Sequence, residues 1–345
     1  MKKILITGGA GFIGSNFTHY YINKHPEDQV MVLDRLTYAG NLDNLKDLES
    51  NEKYWFIEAD IADVKMINNL FEREKFDTVV NFAAETHVDR SIETPSIFVM
   101  TNVVGTQVLL EACRNHGVSR YHQISTDEVY GDLGTDSKDF FTETTPINPN
   151  CPYAASKAAA DLLVLAYHET FKLPVTISRC SNNYGPYQFP EKLIPYFFRL
   201  ISENKPVPVY GDGKNVRDWL YVIDHCRAID LILEKGKIGE VYNIGGHNEK
   251  TNLEITKTLL NFLNKNEDLI TFVDDRLAHD RRYAIDASKI EKELGWKPSV
   301  TFEEGIAKTF EWYKNHKEWM EKLIEKSEER KHKEISKTPL KSSRN

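Results

Sequence analysis

Thr7-Gly8-Gly9-Ala10-Gly11-Phe12-Ile13-Gly14 decides how this chain is read. It joins a short apolar run, Lys3–Thr7, to a helically spaced segment at 12–23. Glycine at a strand-to-helix junction permits a tight turn, close approach of backbone to a pyrophosphate, and close packing of helix on sheet. The helix then offers free N–H groups and a positive dipole end to the anion. Gly8, Gly11 and Gly14 recur every third residue, and Phe12 and Ile13 open the helix. Asp34 ends the next apolar run, 30–34, 20 residues beyond Gly14. A carboxylate there accepts hydrogen bonds from an adenosine ribose and repels a 2′-phosphate, which favours NAD over NADP. Arg35, next to it, is the one feature that pulls toward NADP.

The pattern repeats outward from this loop. Further strand-like runs at 55–60, 78–82, 121–125 and 175–179 alternate with helical patterns, the longest at 95–114 and 154–171. Continuous apolar strands separated by helices read as an α/β fold, a Rossmann-type doubly wound parallel sheet. After about residue 180 the chain turns to Asn, Gly, Pro and Tyr, and a smaller C-terminal α/β lobe is expected. The expected division is a dinucleotide-binding domain at 1–180, with 218–246 packing back on it, a second lobe at 181–326, and a flexible polar tail at 327–345. The total of 345 residues suits two domains, and 41% apolar with 28% charged residues is ordinary for a globular enzyme. The net charge of −8 argues against non-specific nucleic-acid binding. No run of 18 apolar residues and no signal-peptide pattern stand out, and the four cysteines show no Cys-x-x-Cys pair. The expectation is a cytoplasmic protein with reduced thiols, no membrane partner and no metal.

Two further clusters carry chemistry. Tyr153 and Lys157 stand at i and i+4 on one helix face, where an ammonium, with an oxidised nicotinamide ring, favours the phenolate and makes a base. The spacing alone is weak, since Tyr20/Lys24, Tyr210/Lys214 and Tyr313/Lys317 share it. Tyr153 differs by opening an Ala-rich helix soon after a strand that ends in polar residues. That strand end reads Ser125-Thr126-Asp127-Glu128-Val129-Tyr130-Gly131. Ligands bind outside the carboxyl ends of parallel strands, and two carboxylates there push one pKa up, leaving one acid and one base.

These motifs, with Asp60-Ile61, Asn81–Thr86 and Asn182-Asn183-Tyr184-Gly185-Pro186, resemble the extended short-chain dehydrogenase/reductase family in content and order. Residues 36–42, 86–91, 125–132, 189–195, 217–219 and 279–283 resemble its dTDP-glucose 4,6-dehydratase branch most. The resemblance runs to about residue 322. One departure is visible: Leu277-Ala278 stands where the pattern has Pro-Gly, in Asp275-Arg276-Leu277-Ala278-His279-Asp280.

The resemblance implies a redox-neutral dehydration of a nucleotide sugar: C4 oxidation, loss of water across C5 and C6, and hydride return to C6. Tyr153 is then the base on O4, assisted by Thr126 and Lys157, with Glu128 the base at C5 and Asp127 the acid at C6. It further implies NAD contacts from Gly8, Gly11, Phe12, Ile13, Gly14, Asp34, Arg35, Leu36, Thr37, Asp60 and Ile61. Phe82, Ala83, Ala84, Glu85, Thr86, Thr101, Tyr153, Lys157 and Asn183 complete that set. Sugar-nucleotide contacts are implied for Thr86, Thr126, Asn182, Lys192, Leu193, Pro208, Val209 and Tyr210, and for Arg217, Asn252, Arg276 and His279. A homodimer built on the helices at 95–114 and 154–171 is also implied. The alternatives are a nucleotide-sugar 4-epimerase, which needs no carboxylate pair, and the same dehydratase acting on UDP-glucose.

Overall fold

The computed structural model describes residues 1–134, 137–275 and 279–326. Arg276 and the polar tail at 327–345 lie outside the described residues. The first half alternates strand and helix: β1 Lys3–Thr7, α1 Phe12–Lys24, β2 Gln29–Asp34, β3 Tyr54–Glu58, α2 Val64–Glu74 and β4 Thr78–Asn81. It continues through α3 Val88–Glu93, α4 Pro95–Phe98, α5 Thr106–Asn115, β5 Arg120–Thr126, α6 Pro152–Phe171 and β6 Val175–Cys180. Elements of the second half are shorter. They are β7 Asn182–Tyr184, α7 Leu193–Ser202, β8 Val207–Tyr210, β9 Val216–Tyr221, α8 Val222–Lys235 and β10 Val241–Ile244. β11 Glu249–Thr251, α9 Asn252–Phe262, β12 Ile270–Val273, α10 Ser288–Leu294 and α11 Phe302–Asn315 follow.

Seven parallel strands form the main sheet in the order β10-β6-β5-β4-β1-β2-β3. Val30, Val32, Ile4 and Ile6 point to one face, where α1 and the Val222, Cys226 and Ile229 side of α8 cover them. Leu5, Met31, Leu33 and Val79 point to the other, under α2, α5 and α6. Both faces are covered, which is why these strands read as unbroken apolar runs. β10 comes from the second half of the chain and pairs with β6 at the edge of this sheet. The three-stranded sheet β11-β9-β7 and the pair β12-β8 build the smaller lobe around an aromatic core of Tyr184, Phe198, Trp219, Phe302 and Phe310.

The helix expected at 95–114 is not uniform. Val99–Gly105 between α4 and α5 is wound as π-helix, a form that is rare and clusters at functional sites. Within it the Asn102 side chain accepts from Glu85 N at 2.8 Å, donates to Glu85 O at 3.0 Å, and donates to Ser156 Oγ at 2.8 Å. Among the described residues, Pro95–Asn115 is the helical stretch long and apolar enough to cross a membrane by length and composition. Half of its most apolar window is buried inside the fold.

Candidate active site

A long cavity opens at the carboxyl ends of β1, β2, β4, β5 and β6, where the chain leaves the sheet on different sides. Its first end is the glycine loop. Gly8 sits at φ +69°, and a Cβ there would lie 2.5 Å from Ala83 N, so neither conformation nor space admits a side chain. A Cβ on Gly14 would run into the Gly8 carbonyl. The first turn of α1 carries no acidic residue and no side-chain cap, leaving its N–H groups for an anion.

Asp34 is buried at the end of β2. It accepts from Ala10 N at 3.0 Å and Leu36 N at 2.8 Å, and burial raises its carboxyl above the usual range. Those bonds lock the loop and leave lone pairs for a ribose. Arg35 points at Asp60, 2.9 Å away, so its guanidinium is already engaged by a carboxylate. Asp34, Arg35, Thr37, Asp60 and Ile61 all line the cavity, as do Phe82–Thr86 and Thr101. Leu36 takes φ +53° and packs into the core beside them.

The other end is built by β5, β6 and α6. β5 and β6 pair in register, Ser125 with Arg179 and Thr126 with Cys180, and β5 ends at Thr126. A 3-10 turn over Asp127–Tyr130 follows, with the Thr126 hydroxyl accepting from Glu128 N at 3.3 Å. Asp127 is 2% exposed. Desolvation, then the charges of Glu128 and Asp218, push its carboxyl well above the usual range. Its Oδ2 has no hydrogen-bond partner among the described residues. That environment favours the protonated form of Asp127.

α6 starts with Pro152 at its first position, which fixes where Tyr153 and Lys157 project. Both line the cavity wall, Lys157 buried and Tyr153 part-buried. Burial, followed by Glu128, pushes the Tyr153 phenol up. Lys157 donates to Ile124 O at 2.5 Å and is itself lowered by burial. The protein's own groups therefore hold Tyr153 neutral, and a cation bound beside it is needed to make it a base.

The cavity walls fit a dinucleotide. Glu85 Oε2, Ser181 Oγ and Gln188 Oε1 are buried polar atoms on lining residues that lack partners among the described residues. Such atoms cost free energy unless a ligand or water engages them. Thr86, Asn182, Asn183 and Lys192 line the same cavity. Leu193, Pro208, Val209, Tyr210, Arg217, Asn252 and His279 do not. Val209 is a core side chain, and Tyr210 meets His279 edge-on at 6.2 Å. Arg217 donates to Asp280 O at 2.9 Å and stacks 4.3 Å from the Tyr283 ring centre. Its charge reaches Asp127, whose carboxyl it lowers.

Sequence reasoning missed Tyr38, Cys180, Ser181, Gln188 and Phe189 among the lining residues. Tyr38 and Phe189 meet edge-on at 5.6 Å, and the Tyr38 hydroxyl donates to Thr86 O at 2.9 Å. Both stand in stretches that carried the family resemblance, 36–42 and 189–195, so a signal was present.

The family model described as GDP-mannose 4,6 dehydratase matches residues 5–309. The chain is 50% identical over 345 residues to a dTDP-glucose 4,6-dehydratase of Xanthomonas campestris pv. campestris, covering 95% of this chain and 97% of that one. Its structure is similar to the crystal structure of a Bacillus anthracis dTDP-glucose 4,6-dehydratase in complex with NAD. The TM-score is 0.88 at 48% identity, over 94% of this chain and 100% of the other. A UDP-glucose 4-epimerase of Thermotoga maritima, with UDP-glucose, is also similar at TM-score 0.84 and 32% identity, over 91% and 99%.

Proposed function

The chain belongs to the dTDP-glucose 4,6-dehydratase family, and from that premise we infer that its cavity converts dTDP-glucose to dTDP-4-keto-6-deoxyglucose with NAD as cofactor. Asp127 carries this reading against the epimerase alternative. The epimerase shares the fold, so the fold does not separate the two. An acid kept buried and protonated beside a second carboxylate has work to do only if water leaves.

The glycine loop, Asp34 and the 82–86 loop would hold the dinucleotide, which when bound supplies the acceptor for the C4 hydride and returns it to C6. Tyr153 takes the O4 proton once a cation beside it favours the phenolate. Thr126, whose hydroxyl lies on the same strand end, hydrogen-bonds O4. The 4-keto group acidifies C5, Glu128 removes that proton, Asp127 gives its own proton to the departing C6 hydroxyl, and Glu128 returns its proton to C5 as C6 is reduced. Pro208–Tyr210, Arg217, Asn252 and His279 lie beyond the cavity on the second lobe and are assigned the nucleotide side of the substrate. A cationic Arg217 suits a diphosphate. On this assignment residues 1–180, with 218–246, serve the cofactor and 181–326 serve mainly the sugar nucleotide. The four cysteines are buried and form no disulfide among the described residues, which fits a reducing compartment, the cytoplasm.

The test is incubation with dTDP-glucose and UDP-glucose followed by mass spectrometry. Loss of water from the first in preference to the second is expected; an unchanged mass with altered stereochemistry returns the epimerase. The double variant Asp127→Asn with Glu128→Gln should still oxidise C4 and accumulate reduced cofactor. Tyr153→Phe should abolish that absorbance.

A further inference from the structure

Beneath the site lies an ion pair to which the mechanism above gives no role. Asp161 stands one helical turn beyond Lys157 on α6 and is fully buried; Arg179, on β6, is almost so. Arg179 Nε lies 2.9 Å from Asp161 Oδ2, and the same oxygen accepts from Ser125 Oγ at 3.0 Å. Arg179 Nη1 donates to the Tyr130 hydroxyl at 3.0 Å, and that hydroxyl donates to Asn243 Oδ1 at 2.8 Å. The guanidinium also lies 4.9 Å from the Tyr130 ring centre. Ser125 immediately precedes Thr126, and Tyr130 closes the 3-10 turn that carries Asp127 and Glu128.

We propose that the Asp161–Arg179 pair is a positioning device for catalysis: it grips both ends of the Thr126-Asp127-Glu128 segment. Burying two charges far from water is costly, and pairs of this kind are weak evidence for stability alone. Here each partner holds a different flank of the same four-residue turn. The clamp fixes where the acid and the C5 base stand relative to α6, because Asp161 itself rides on that helix. A displacement of about 1 Å at such a centre costs on the order of 10²-fold in rate.

The inference rests on the dehydratase reading, and two variants test it by stopped-flow absorbance of reduced cofactor, with product mass and thermal melting alongside. Arg179→Lys keeps the charge but loses the planar fork that bridges Asp161 and Tyr130. Tyr130→Phe removes one grip without changing charge. Both should slow elimination by roughly 10²-fold and accumulate reduced cofactor. Folded Arg179→Lys and Tyr130→Phe proteins with normal elimination overturn the clamp. Wild-type protein that removes no water from dTDP-glucose overturns the dehydratase reading and this inference with it, whereas normal wild-type turnover isolates the clamp.

Discussion

Asp127 is held as an acid at the expense of folding, and its stability signature follows from the sign of its shift. Its folded pKa lies above the unfolded value because the ionised form is desolvated and faces Glu128 and Asp218. Below the unfolded pKa both states are protonated and nothing is lost. Above it the unfolded chain releases a proton that the folded chain keeps, so the cost grows with pH until the folded group ionises. Asp127→Asn removes the cost while keeping the shape, and should melt higher than wild type at pH 7 to 8 with the difference closing near pH 4. Equal melting curves across that range would show that Asp127 is ionised and solvated. The two fully buried histidines act at the other end of the pH range, costing stability as pH falls. His122 bonds Thr176 Oγ1 and Ser178 Oγ at 2.9 and 3.0 Å, and His225 bonds Asn183 Oδ1 at 2.9 Å. Burial lowers each to about 3. The unfolded chain binds their protons first as pH falls below the ordinary histidine value of about 6.5. Stability should therefore drop between about 6.5 and 3, and His122→Gln should move the acid-unfolding midpoint to lower pH.

At the scale of single elements, the π-wound turn at Val99–Gly105 and the 3-10 turn at Asp127–Tyr130 do the positioning. Asn102 connects the cofactor-side loop at Glu85 to Ser156, one residue from Lys157. Asn102→Ala leaves buried Glu85 N without its partner, an effect of about 1–3 kcal/mol, and should lower the melting temperature and weaken cofactor retention together. Loss of thermal stability with unchanged cofactor retention would confine Asn102 to the fold. The sequence made some of these elements legible and not others, for physical reasons. Parallel strands buried on both faces advertise themselves as apolar runs, and glycines that must turn cannot be replaced. The Thr126-Asp127-Glu128 and Tyr153/Lys157 groups were readable because side-chain chemistry and spacing coincide. The π turn was not, since Val99–Gly105 has no residue that forbids ordinary helix. Asp161 and Arg179 look like surface charges until the fold buries them. β10 is four residues long, and its place at the edge of the main sheet depends on a partner, β6, more than 60 residues earlier.

At the scale of the whole molecule, the helical side opposite the sheet poses the remaining question of what covers it. Ile92, Ile97, Val99 and Met100 on the run from α3 to the π turn are exposed, and so is Leu162 on the neighbouring α6. Apolar surface gathered in this way marks an interaction site more often than a free face. A second copy of the chain is the proposed occupant, its two equivalent helices completing a four-helix contact about a two-fold axis. On that proposal the inner face of Pro95–Asn115, half of whose most apolar window is buried, packs on the fold, and its outer face would meet the partner. Light scattering should give twice the mass of one chain at micromolar concentration. Met100→Glu with Leu162→Glu should give a single chain's mass, because four carboxylates cannot be buried together without partners. The wild-type chain should meanwhile stay in the supernatant when anionic or neutral vesicles are sedimented. Sedimentation with vesicles, lost in the same double variant, would assign the face to a lipid surface and remove the dimer.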